Sequence, residues 1–185
     1  DWRGRTGIAI LLTYVLMGTV GVMVIPEPST DVANRFVQPF QSFQYPLGTD
    51  SSGHSMLATV VHGTPPILKM VLTGGVFSVT VGTLVGMTAG YKGGVVDQSL
   101  MLVTDVLMAI PGLPLVMVLG FVFEPSSPYL VGIILVVNAW AGLARSVRSQ
   151  VLSLREESYI EASRVLGLST SNVLREDILP GIMPY

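Results

Sequence analysis

Four long apolar stretches, set apart by polar segments, dominate the pattern of the chain: residues 8–25, 70–91, 98–123 and 128–144. They run from 17 to 26 residues, the length a helix needs to cross a hydrocarbon layer of roughly 30 Å. Arg3 and Arg5 precede the first stretch. A secretory leader begins in the same way, but Ile25-Pro26-Glu27-Pro28 offers no small-x-small cleavage site, so the stretch reads as an anchor helix. Pro111 and Pro114 interrupt the third stretch; each removes a backbone donor and is expected to kink the helix. Ser127 and Pro128 have the form of an N-cap and first-turn proline, while Arg145 and Arg148 mark the exit of the fourth stretch into water. The predicted fold is all-α, a polytopic helical membrane protein forming one domain over residues 1–185, with an external segment at 26–69 and a cytoplasmic loop at 155–180.

Composition agrees with that pattern. Of the 185 residues 50% are hydrophobic and only 12% charged, against about 25% charged in an ordinary soluble domain, which excludes a soluble enzyme. No cysteine is present, so a disulfide framework, a thiolate metal site and a cysteine nucleophile are excluded. A net charge of -2 argues against a nucleic-acid surface. Lys and Arg placement sets the expected orientation, because positive loops stay in the cytoplasm. With the N-terminus inside, Arg3, Arg5, Lys92, Arg145, Arg148, Arg155, Arg164 and Arg175 lie inside, with only Arg35 and Lys69 outside.

The stretches themselves carry chemistry. Gly74, Ser78, Gly82, Gly86 and Gly90 recur every fourth residue and make a ridge of small side chains on one helix face. Lipid offers no hydrophobic drive between helices, so such a ridge is where close packing gains contact energy, with a neighbour in the same chain or with a partner subunit. Asp105 is an acid inside the third stretch; it reads either as part of a translocation pathway or as a hydrogen-bonded structural carboxyl. Asn138, near the middle of the fourth, reads as interhelical glue or as a pathway residue. His54 and His62 are the only histidines and read as solvated or interfacial imidazoles rather than a metal pair. No catalytic constellation, cofactor site or Gly-x-x-x-x-Gly-Lys-Ser/Thr phosphate cradle is present. If the machine uses ATP, another subunit must bind it.

From Arg155 the chain turns polar and helical. Gly167 is a natural C-terminal cap, Ser169 can cap a second short helix through Glu176, and Pro180 ends it at the membrane. Tyr159, Ile160, Ala162, Ser163 and Leu166 are expected to show apolar or small surface beside charges, as a docking element would.

Here the sequence resembles a family. Glu161-Ala162-Ser163-x-x-x-Gly167 followed by Ile178-Leu179-Pro180 is similar to the EAA loop of permease subunits of binding-protein-dependent ABC importers. Tyr45-Pro46-Leu47-Gly48-Thr49-Asp50-x-x-Gly53 and Asp105-x-x-x-x-x-Pro111-x-Leu113 resemble the C-type permease of the dipeptide, oligopeptide and nickel branch. The chain departs from that pattern at His54 and Ser55, where Arg-Asp is usual, at Ser163 in place of Ala, at Glu176 and Asp177 in place of Arg-His, and at Leu102 in place of an Arg.

The resemblance implies the type I ABC importer permease fold, with six spans in the complete subunit and four of them in this chain. It also implies a multi-pass subunit of the cell membrane that is not itself an enzyme. Its partners would be a homologous second permease, two ATP-binding subunits that hold ATP and Mg, and an extracytoplasmic solute-binding protein. Tyr159, Glu161, Ala162, Ser163, Gly167, Leu179 and Pro180 would form the coupling loop that enters a cleft of the ATPase. Gly82, Gly86, Asp105, Pro111 and Asn138 would serve packing or the pathway. The implied cargo is a peptide, with nickel or another small solute as the alternative. From a different class, an ion- or proton-coupled secondary transporter or channel using Asp105 explains the acid and the prolines, and a membrane scaffold explains the glycine ridge. Neither explains the helix, glycine turn, helix segment.

Overall fold

The computed structural model describes residues 2–182, and apart from an isolated bridge between Thr49 and Ser55 its regular elements are helical. The chain is an all-α protein of two compact units, Asp1–Val71 and Leu72–Tyr185.

In the first unit, α1 (Trp2–Leu16), a π-helical turn (Met17–Gly21) and α2 (Val22–Val24) run on as one apolar helix of 23 residues. Gly18 and Gly21 let it lie close to the start of α3 (Met56–Lys92): a Cβ at Gly18 would stand 3.0 Å from the Leu68 side chain, and one at Gly21 3.2 Å from Val61. Where this helix ends, His62 Nε2 donates to the free carbonyl of Ile25 at 2.8 Å, which satisfies a terminal acceptor that the helix itself cannot.

The segment between these helices is held by its own polar side chains. Asp31 accepts from Asn34 Nδ2 and from the Tyr45 hydroxyl, both at 2.8 Å, and these two donors hold its carboxyl below the usual range. Asp50 takes the His54 and Ser52 backbone N–H groups, each at 2.8 Å, and the His54 ring; the bond from the His54 backbone leads the causes that lower its pKa. Gly48 and Gly53 have φ of +78° and +86°, and a Cβ on either would run into the backbone of Val37 or Asp31. The Gly-Thr-Asp-x-x-Gly sequence is thus a folding motif: left-handed glycines let distant parts of the loop backbone approach, and Asp50 ties the turn that follows. Ser55 Oγ accepts from Ala58 N–H at 3.4 Å, so α3 starts at Met56, well before the apolar window at 70–91, and carries Pro65 and Pro66 inside it.

The second unit contains the rest of α3 and then α4 (Gly94–Ala109), α5 (Gly112–Phe123), α6 (Pro128–Leu135), α7 (Ala139–Leu154), α8 (Ser158–Val165), α9 (Thr170–Asn172), a π-helical turn (Val173–Ile178) and α10 (Leu179–Ile182). Among the described residues two helices are long and apolar enough to cross a membrane, Trp2–Val24 and Met56–Lys92, and the count rises to four if each of two bent pairs is one span. Those pairs are α4 with α5, bent by 86°, and α6 with α7, bent by 54°.

The first bend is a break where a kink was expected. Ile110 is forced extended (ψ 125°) by the proline after it, so α4 ends at Ala109 and Pro111 becomes the N-cap of α5. Pro114 produces no kink, because it sits in the first turn of α5, where a backbone N–H has no intrahelical acceptor. The fourth apolar stretch is likewise two helices, parted at Val136–Asn138, and its second helix continues through Arg145 and Arg148 to Leu154.

The glycine ridge of α3 packs on α6 and α7 of the same chain. A Cβ at Gly74 would lie 2.7 Å from the Gly132 carbonyl, one at Gly82 3.0 Å from Leu143, one at Gly86 2.8 Å from Val147, and one at Gly90 2.8 Å from Val151. On α7, Ala141, Ala144, Val147 and Val151 are the buried stripe that meets it. Leucine at Gly86 has no space, whereas Val79 is exposed. Gly86→Leu is therefore expected to destabilise the protein by about 1–3 kcal/mol and Val79→Leu to leave it unchanged, as read by thermal unfolding in detergent.

Candidate functional site

Polar groups within the spans gather between α4 and α7. Arg148 grips Asp97 through Nε and Nη2, one nitrogen to each carboxylate oxygen, and Arg145 Nη2 donates to Asp105 Oδ1. Asp97 precedes Asp105 while Arg148 follows Arg145, so the two pairs are rungs between antiparallel helices. Arg155, at the end of α7, donates from Nη1 to the Gly90 carbonyl at 3.2 Å. The forked Arg148–Asp97 pair is the more enclosed, with side chains 30% and 14% exposed; Arg145 and Asp105 are 50% and 58% exposed. An ion pair half open to acyl chains would be costly, so at membrane depth this side of α4 and α7 would have to face water or protein.

The two breaks meet. Asn138, at the N-terminal end of α7, places its amide against Gly112, the first residue of α5, where a Cβ would lie 3.1 Å from Nδ2. Asn138 makes no capping bond with its side chain. Pro111 and Asn138 therefore belong to one junction of interrupted helices, at the opposite end of α4 from the tightly held Asp97.

The polar segment after α7 is built on a small core. Ile160 is completely buried with Val151, Val173 and Ile178, beside Met87 and Val147, and Leu179 packs on this cluster. This corrects the expected exposure of Ile160: on a two-turn helix the face that docks outward cannot also be the face that holds the helix in place. Exposure falls instead to Tyr159, Glu161 and Ala162, and beyond them to Val165 and Leu166, while Ser163 is half-buried. Gly167 adopts φ +78°, Leu166 N–H reaches the Ala162 carbonyl and Leu168 N–H the Ser163 carbonyl, so α8 closes in a left-handed cap. Ser169 Oγ then accepts from Asn172 N–H at 3.3 Å and starts α9. Contrary to expectation, Pro180 does not end this helix: it is the second residue of α10, which follows the π-helical turn Val173–Ile178, and Leu179 N–H bonds to Leu174 five residues back; the wider turn gives room to a ring that would clash in an α-helix. The Tyr159 hydroxyl lies near Gly181. Asp177 Oδ2 is enclosed without a hydrogen-bond partner among the described residues.

Metal chemistry has no obvious seat, since no group of three or more His, Asp or Glu that could hold an ion occurs among the described residues. His54 and His62 serve separate ends of the loop, His54 between Asp50 and Thr30 and His62 on Ile25.

Long apolar helices, two bent apolar helix pairs and a structured polar segment after them define a multi-pass helical membrane protein. Residues 82–185 match the family model described as the binding-protein-dependent transport system inner membrane component, and the chain belongs to that family. It is 29% identical over 179 residues to the dipeptide transport system permease protein of Bacillus subtilis, covering 96% of this chain and 55% of the relative. To the oligopeptide transport system permease protein of Haemophilus influenzae it is 30% identical over 187 residues, covering 98% and 60%. To the nickel transport system permease protein of Escherichia coli K12 it is 29% identical over 185 residues, covering 99% and 66%. The chain thus spans 55% to 60% of the length of the first two relatives.

The pairing of Asp105 with Arg145 yields a direct test. Asp105→Arg or Arg145→Asp alone should place like charges together and lower the yield of folded protein several-fold, whereas the double exchange should restore most of it, measured as the monodisperse fraction after detergent extraction. Equal loss in all three would show that the pair contributes nothing.

Proposed function

We propose that the chain is the membrane-spanning part of a C-type permease subunit of an ATP-driven ABC importer, with all of residues 1–185 in one permease domain. Residues 155–180 take up the stroke of a separate ATPase. The observation that carries this reading is the construction of α8: its outer surface offers Tyr159, Glu161, Ala162 and Val165, while its inner residue Ile160 is fixed in a core shared with α7 and α3. A push on α8 is therefore a push on α7, and the two ion pairs carry it to α4. Ser163, Gly167, Leu179 and Pro180 set the shape of the docking surface. ATP and Mg belong to the two ATPase subunits. A second permease and an extracytoplasmic solute-binding protein complete the assembly, and switching is a population shift between two packed states biased by ATP. The Asp105–Arg145 side, with the Pro111 and Asn138 junction, lines the pathway.

Peptides are the cargo that two of the relatives' names support, and nickel is the second reading, favoured by the third. A secondary transporter or channel using Asp105 as its ion site is the reading from another class, and it gives no role to the structured segment from α8 to α10.

The proposed topology has the N-terminus, Lys92 and Arg155 in the cytoplasm and residues 26–69 outside. A cysteine introduced at Asn34 should react with an impermeant thiol reagent in intact cells, and one at Lys92 only after permeabilisation; the reverse order would invert the topology. Gly167→Val forces a β-branched residue into φ +78°, a strain of about 1–2 kcal/mol. With Glu161→Ala it is expected to reduce substrate-stimulated ATP hydrolysis by the assembled importer while membrane insertion is kept. Stimulation at the wild-type level in both variants would reject the docking role.

A further inference from the structure

The loop between the first apolar helix and α3 contains fourteen consecutive residues, 36–49, none of them charged: Phe-Val-Gln-Pro-Phe-Gln-Ser-Phe-Gln-Tyr-Pro-Leu-Gly-Thr. Three phenyl rings stand out from it. Phe36 is 72% exposed, Phe40 86%, and Phe43 fully exposed. Two of them are held on left-handed backbone, Phe36 at φ 55° and Phe40 at φ 65°, a conformation that a bulky side chain adopts only when its surroundings impose it. The imposing contacts are backbone bonds: Phe36 N–H to the Asp50 carbonyl at 3.3 Å and Phe40 N–H to the Pro46 carbonyl at 3.0 Å. The loop thus holds these rings largely exposed on a backbone that is itself fixed.

We propose that this loop is an interfacial anchor whose Phe40 and Phe43 rings, with Phe36 beside them, seat in the headgroup layer of the bilayer. Position carries the assignment. Phe43 lines a cleft of about 330 Å³ together with Val24, Ile25, Leu57 and Ala58, the residues at which the first apolar helix ends and α3 begins. Met23 and Val24, at that same end, are 88% and 74% exposed, so the phenyl ring continues an apolar surface that already reaches the edge of the hydrocarbon. Composition agrees: the segment joins apolar rings to uncharged polar side chains and Tyr45, a mixture suited to the depth at which amphipathic aromatic groups collect. The charges that flank the segment, Glu27, Asp31 and Asp50 against Arg35, are mostly acidic, so the attachment is apolar and needs no anionic lipid. The proposal rests on Trp2–Val24 crossing the membrane, and not on which face the loop occupies.

The test uses tryptophan as a depth gauge. The full chain, with Trp2 and Trp140 replaced by Phe, is reconstituted in phosphatidylcholine nanodiscs carrying Phe40→Trp, Phe43→Trp, Ser51→Trp or Val15→Trp. Phe40→Trp and Phe43→Trp should be quenched at least two-fold more by lipid brominated near the top of its acyl chains than Ser51→Trp, and at least two-fold less by aqueous iodide. Val15→Trp should respond to lipid brominated deep in the chain. Iodide quenching equal to that of Ser51→Trp, with Val15→Trp still quenched by deep bromine, overturns the anchor alone. Loss of the Val15→Trp response overturns the spanning helix and the anchor with it. Protection of Phe40→Trp and Phe43→Trp that appears only when a soluble solute-binding protein is added assigns the loop to protein docking and likewise overturns the proposal.

Discussion

The second unit depends on how closely α3 can approach α7. A backbone-to-backbone contact is available only where side chains are absent, and Gly82, Gly86 and Gly90 supply the absence at successive turns of α3, while Ala141 and Ala144 supply it on α7. In a lipid environment this geometry replaces the hydrophobic effect as the source of cohesion, since dispersion between well-fitted surfaces is what association has to offer there. Two arginines on α7 and Arg155 just after it then come within reach of their partners: Arg155 of the Gly90 carbonyl, Arg148 of Asp97 and Arg145 of Asp105. If the glycine seam opened, the ion pairs would lose the helix that carries them.

The same seam sets the stiffness of the unit. Near the cytoplasmic end of the proposed topology α7 is fixed on both sides, by Val147 and Val151 in the core and by Arg148 and Arg155 to α4 and α3. At the other end lie the breaks at Pro111 and Asn138, where α5 leaves α4 at 86° and α7 leaves α6 at 54°. An interrupted helix has fewer backbone bonds to resist bending. A displacement entering at α8 would thus travel through the rigid half and be absorbed at the junctions.

Much of this was legible in the sequence, and the part that was not has a common cause. The spacing of the glycines marked the face of α3 that packs, and Gly167 followed by Ser169 marked the cap and restart, because both are local rules written in the residues concerned. Pro111 marked the break of the third stretch but not its size, since a helix that continues past a proline and one that stops before it share the same sequence until the preceding residue's ψ is known. Residues 136–138 carried no proline or glycine, and the only signal there was Asn138, a residue that competes poorly inside helices. The partner of Asp105 lay forty positions away at Arg145. It could not be read from the helix of Asp105 itself, where Leu102 stands one turn away.

Ile160 shows why the loop's composition misled about its exposure. Read alone, Tyr159 to Leu166 is a short amphipathic helix, and every apolar residue in it looks available to a partner. A helix of two turns has no stability of its own, so part of its apolar surface must be spent on the parent protein before any can be offered outward. Ile160 is that part, buried beside Val151 and Ile178. In the proposed coupling this residue would join the docking surface to α7, and the strength of its packing would govern how much of a partner's push reaches the spans and how much is lost in local tilting of α8. A loop that bound its partner tightly but lacked this inward residue would dock without transmitting, which is why the inward face of the segment matters as much to the proposed coupling as the face that meets the ATPase.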